Sequence, residues 1–72
     1  MPLTEAAFEA QVRPHLDALY RTAVRLSGDR AGADDIVQEA VIKAWRHYDR
    51  FEQGTNFRGW IFKILMRTFL NE

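Results

Sequence analysis

Three residues, Trp60, Lys63 and Arg67, stand at i, i+3 and i+7 and would share one edge of a helix, with Arg58 at that helix's start beside a loop. Aromatic faces stack on unpaired bases and cations track phosphates, which is how single-stranded nucleic acid is held. Two cations on a helix face are more commonly just solvated, and a tryptophan is more commonly core, so the edge alone is a weak signal. Catalytic chemistry has less to stand on. Asp34 and Asp35 are adjacent, so on a helix they diverge by about 100° and do not share a proton as a carboxylate dyad does; first-turn dipole compensation accounts for them. There is no glycine-rich phosphate loop, Ser/His/Asp set or activated nucleophile. His15 and His47 are far apart, without HExxH or His-x3-His spacing, and the lack of cysteine excludes a thiolate zinc site, so no metal site is expected. The sequence therefore predicts a protein that is not an enzyme and needs no cofactor.

A second signal lies upstream. Around the helix predicted from Asp34 to Tyr48, at about 100° per residue, Ala33, Ile36, Val37, Ala40, Val41, Ala44 and Tyr48 form one apolar stripe. Ile42 projects roughly 140° from the centre of that stripe, among Asp35, Gln38, Glu39 and Arg46, with Trp45 at the border. An apolar residue ringed by polar groups has the layout of a protein-binding patch, a buried anchor inside a polar rim. Single exposed isoleucines are also ordinary on surfaces.

The elements that must position these residues are helical. Seventy-two residues allow one small domain, near the lower limit for a core without disulfides or metal. Lack of cysteine fits a reducing cytoplasm, and nothing resembles a signal peptide or a span of about 20 apolar residues, so a soluble cytoplasmic protein without membrane insertion is expected. Ten acids balance ten bases overall, but residues 53–71 hold Arg58, Lys63 and Arg67 and no acid. Thr4 with Glu5 opens a first helix; Pro14 kinks or restarts it; Gly28 suits a left-handed stop; and Asp29 or the Gly32 region admits the second helix, which runs to about Tyr48. A loop over residues 49–56 follows, the only one long enough to present side chains outward, and Asn56 caps a third helix. That helix is apolar around most of its circumference, from Phe57, Ile61, Ile64 and Leu65 to Phe62, Met66 and Phe69. Two companions cannot bury it fully, which together with the uncapped Asn71-Glu72 end predicts a fragment whose last helix continues or docks elsewhere. The expected fold is all-α, a compact three-helix domain over residues 1–72.

The ordered series Asp34-Asp35-Ile36-Val37-Gln38-Glu39, Ala44-Trp45, and Phe51-Glu52-Gln53-Gly54-Thr55-Asn56-Phe57-Arg58-Gly59-Trp60 through Ile64 resembles region 2 of the extracytoplasmic-function sigma factors, dissociable subunits of bacterial RNA polymerase. The Gly54-Thr55-Asn56 loop and the Thr68-Phe69-Leu70-Asn71 tail look closest to the subgroup that responds to oxidative or thiol stress. Two positions depart from the pattern: Gly59 replaces alanine or another helix former, and Arg67-Thr68 replaces an Arg-Asn pair.

The resemblance implies a transcription initiation domain. Asp35, Gln38, Glu39, Ile42 and Trp45 would dock on the clamp helices of the largest subunit of core RNA polymerase. Phe51, Gln53, Gly54, Thr55 and Asn56, with Arg58, Trp60, Lys63 and Arg67 alongside, would capture the single-stranded non-template strand of the promoter −10 DNA, one base flipped into the loop. An anti-sigma factor would be a further partner, and the second promoter-binding domain, region 4, which reads the −35 element, is absent from the chain. The alternative is a helical adaptor that uses Ile42 and Trp45 for protein contacts without binding DNA.

Overall fold

The computed structural model describes residues 4–71. Thr4 has extended backbone and its hydroxyl accepts the Ala7 amide at 3.0 Å, which starts α1 (Glu5–Val12). Pro14, without an amide hydrogen, sits in a single 3-10 turn, Arg13–His15, and α2 (Leu16–Ser27) resumes behind it. The expected kink or restart at Pro14 is thus a single tightened turn. Gly28 closes α2 at φ 86°, a left-handed conformation that costs a residue without Cβ nothing. Asp29 then accepts the Gly32 amide at 2.6 Å and opens α3 (Arg30–Arg46).

The helix α3 stops two residues short of the expected Tyr48. His47 leaves helical geometry, and Tyr48 begins a second 3-10 turn, Tyr48–Arg50, because its side chain is drawn inward: its hydroxyl donates to the Gln11 side chain and its ring meets Phe8 edge-on at 5.1 Å. Asn56 caps the last helix, α4 (Phe57–Leu70). Glu72, at the predicted uncapped end, lies outside the described residues.

Around α3 pack both α2 and α4, which also touch each other. Small side chains permit this closeness: Ala33, Ala40 and Ala44 of α3 and Ala23 of α2 are all buried. Between them sit Leu19, Val37, Ile61 and Leu65, fully enclosed, each contributing about 1.5–3 kcal/mol by its removal from water. Thr68 is also fully buried, and its hydroxyl donates to the Ile64 carbonyl at 2.8 Å, so the one polar side chain in this layer is satisfied. The far side of α4 remains open, with Met66 38% and Leu70 71% exposed. No helix among the described residues is long and apolar enough to cross a membrane.

Candidate functional site

On α3 the apolar stripe turns inward and its opposite side is free. Ile42 is 52% exposed and Trp45 38%, with Asp35, Gln38 and Glu39 exposed nearby on the same helix. The polar rim is partly pre-ordered. Gln38 donates to one Asp34 oxygen at 2.9 Å, while the other oxygen accepts the Tyr20 hydroxyl at 2.8 Å, tying α2 to α3. That hydrogen bond, then burial and the negative charge of Asp34, hold the Tyr20 phenol above its ordinary ionisation range. Because α3 already begins at Arg30, Asp34 and Asp35 lie beyond its first turn and are not the dipole-compensating acids expected from the sequence; Asp34 is instead a structural acceptor. Glu39 pairs with Lys43 at 2.9 Å across one helical turn.

The anchor is not isolated. Val41, counted with the core stripe from its spacing, is only half-buried and forms the floor of an apolar groove between α3 and the first two helices. One end, about 210 Å³, is lined by Glu5, Phe8, Glu9, Ile42 and Trp45. The middle, about 220 Å³, is walled by Phe8, Val12, Arg13 and Leu16. The other end, about 310 Å³, reaches Leu16, Tyr20, Val37 and Gln38. Trp45 is held at its place by the Phe8 ring, 5.4 Å away. None of these partners from α1 and α2 is visible from the period of α3.

The loop and α4 divide the remaining candidates. Phe51, expected on the outward loop, is turned into the core at 7% exposure. It stacks on Tyr48 at 6.4 Å and 8°, meets Phe57 edge-on at 5.2 Å and lies 4.9 Å from Trp60. The aromatic ring is too large to leave in water when such a cluster is within reach, so Phe51 supports the loop from beneath and its side chain is not part of the outer surface. Gln53, Gly54, Thr55 and Asn56 are exposed. Gly54 takes φ 88°, and Thr55 donates to the Glu52 carbonyl from both its hydroxyl, at 2.5 Å, and its amide, at 3.2 Å, which closes the loop into a defined turn. The Asn56 side chain accepts the Gly59 amide at 2.9 Å.

Arg58 is separated from the other cations. It lies roughly 200° around the helix from Trp60, with its guanidinium 4.8 Å over the Phe62 ring and Nη1 3.4 Å from His15 Nδ1. His15 in turn stacks on Phe57 at 6.0 Å. Trp60 is half-buried, packed on Phe51 and Phe57, while Lys63 and Arg67 are exposed. Arg67 lines a cleft with two residues that the sequence did not single out, Lys43 in the last turn of α3 and His47 just past its end, together with Ile64, Thr68 and Asn71. Among the described residues, no three metal-ligating side chains converge.

The molecule is a small all-α domain with an apolar groove along one helix and a cationic edge on another. The chain belongs to the sigma-70 region 2 family, whose family model matches residues 11–72. It is similar to the ECF RNA polymerase sigma factor SigE of Mycolicibacterium smegmatis, at 38% identity over 65 residues, covering 90% of this chain and 25% of that protein. The ECF RNA polymerase sigma factor EcfG of Rhodopseudomonas palustris is 35% identical over 72 residues, covering 100% and 39% respectively. The ECF RNA polymerase sigma factor SigL of Mycobacterium tuberculosis is 34% identical over 68 residues, covering 93% and 38%. The chain thus spans between a quarter and two fifths of the length of these relatives.

Proposed function

We propose that this domain serves transcription initiation by docking on core RNA polymerase through α3 and holding the unpaired non-template strand of the −10 element with its loop and α4. The observation that carries the reading is the exposed Ile42–Trp45 pair beside Asp35, Gln38 and Glu39 on a sigma-70 region 2 domain. An apolar anchor with a polar rim is the arrangement in which a few central residues dominate a protein interface. The groove extending from Ile42 past Val41 to Leu16 gives a partner helix a longer track than one side chain offers.

The DNA half of the proposal rests on the acid-free run of residues 53–71 and on the exposed turn Gln53–Asn56. Expelling a base from the stack costs a few kcal/mol. Binding the unpaired state offsets this: stacking contributes roughly 1–3 kcal/mol per base, and Lys63 and Arg67 add a salt-sensitive phosphate term. Half-buried Trp60 is the aromatic residue of this edge on which a base would stack, while Phe51 acts only by holding the loop. Selectivity then belongs to Gln53–Asn56 and general affinity to the cations.

The test is open-complex formation by polymerase carrying this protein, over a set of −10 variants and several salt concentrations. Exchange of residues 53–56 should change the preferred −10 base, whereas Lys63→Ala should weaken all promoters about equally and reduce the salt slope by about one unit. The reverse pattern would refute this division of labour. A helical adaptor without DNA binding, favoured by the apolar groove, predicts that neither change affects DNA and that only Ile42 and Trp45 substitutions have a phenotype.

A further inference from the structure

We infer that the cleft between the C-terminal ends of α3 and α4 is a phosphodiester-binding site, which receives the sugar–phosphate backbone of a nucleic-acid strand after it leaves the α4 edge. The inference rests on the reading of α4 given above and extends it to a second helix. The cleft, about 220 Å³, is walled by Lys43 of α3 and His47 just past its end and by Arg67 of α4 and Asn71 just past its end, with Ile64 and Thr68 between them. Four of these lining side chains carry N–H donors, and two of the four, Lys43 and Arg67, are cationic at neutral pH. The Thr68 hydroxyl is already used on the Ile64 carbonyl, so it leaves the donors of the other four to set the character of the cleft.

Two observations separate this cleft from an ordinary solvated face. The first is its alignment. By the helical period, Trp60, Ile64, Arg67 and Asn71 fall within a stripe roughly 60° wide, with Lys63 at its margin. A strand stacked on Trp60 and following the cations of α4 therefore runs into the cleft. The second is the availability of Lys43. Its pairing with Glu39 at 2.9 Å is an i, i+4 contact with side chains 37% and 46% exposed. Such pairs contribute little in water, so the ammonium exchanges readily for a phosphate oxygen. Cations near helix C-termini also offset the macrodipole, as Lys43 and Arg67 do in the last turns of α3 and α4, and so does Arg46. It lines a different hollow with Trp45, Tyr48 and Asp49. Dipole compensation thus explains cations at these ends but not their convergence with Arg67 on one cleft.

Fluorescence anisotropy of this chain with a short labelled single-stranded DNA at several salt concentrations tests the site, with helicity checked by circular dichroism. Lys43→Gln and His47→Gln should each lower affinity by about threefold to tenfold. Lys43→Gln should also make the log–log salt slope shallower by about 0.7, the value for one phosphate on a single strand. Lys43→Arg should restore both, and Arg25→Gln, an exposed cation on α2, should bind as the parent does. Should Lys43→Gln and His47→Gln bind DNA like the parent while Lys63→Gln is weakened, the cleft assignment falls and the α4 edge stands. Parental binding by Lys63→Gln and Arg67→Gln as well would overturn both. A third contradicting result is loss of poly-glutamate binding, without loss of DNA binding, in Lys43→Gln, which would make the cleft a carboxylate site.

Discussion

A Cβ on residue 59 would stand 2.7 Å from the side-chain nitrogen of Asn56, whose oxygen caps α4 by accepting the Gly59 amide at 2.9 Å. The cap and the glycine are one device. Helix propensity alone makes Gly59 a defect of up to about 1 kcal/mol; its neighbour makes it the residue that lets the cap lie flat against the first turn.

This yields a prediction with a sign that depends on context. Gly59→Ala gains about 1 kcal/mol of helix propensity and loses a cap worth about 1 kcal/mol, so its net effect should be near zero. In an Asn56→Ala background the cap is already gone, and the same substitution should stabilise by up to about 1 kcal/mol. Denaturant titration of the four proteins measures the coupling. Equal gains in both backgrounds would mean that the side chain of Asn56 moves aside without cost.

Tyr20 and Asp34 predict a pH dependence. The phenol donates to the carboxylate at 2.8 Å and ionises above its ordinary range, so the folded state favours the protonated phenol more than the unfolded chain does. The resulting stability is complete below the unfolded value of about 10 and is lost as pH rises through the folded value. Tyr20→Phe should therefore cost about 1 kcal/mol at neutral pH and show a smaller loss of stability above pH about 10. Melting temperatures of both proteins across the alkaline range decide this; parallel curves would contradict it.

Ile42 predicts a separation of folding from docking. Ile42→Glu should keep its helices and melt close to the parent, because the side chain is already 52% exposed. Affinity for core polymerase should fall by about 2 kcal/mol or more. Leu65→Ala provides the contrast: fully buried, it should cost about 2–5 kcal/mol of stability. Circular dichroism and a pull-down with core polymerase check the pair, and unfolding by Ile42→Glu would remove the docking argument.

Features written in local sequence were readable from it. The caps at Thr4, Asp29 and Asn56, the stop at Gly28 and the break at Pro14 each depend on a residue and its near neighbours, and the exposure of Ile42 follows from the period of one helix. What depends on two elements meeting was not readable. Phe51 sits in a loop without period, and only the assembled cluster of Tyr48, Phe57 and Trp60 draws it inward. Val41 becomes a groove floor because α1 and α2 leave it half-covered, and Lys43 and His47 reach Arg67 only through the packing of α3 on α4. Arg58 reads as one cation among three until the fold turns it toward His15 and Phe62.

Whether one domain joins polymerase to an unpaired DNA strand can be read from a photo-crosslinking residue placed at Thr55, an exposed position on the closed turn. The parent protein bearing it is bound to core polymerase and irradiated with promoter DNA labelled on either strand. The account predicts cross-links to the non-template strand at the −10 element, formed only with polymerase present and weakened by Ile42→Glu together with polymerase binding. Stable polymerase binding with no cross-link to DNA would contradict it and leave the domain a protein adaptor.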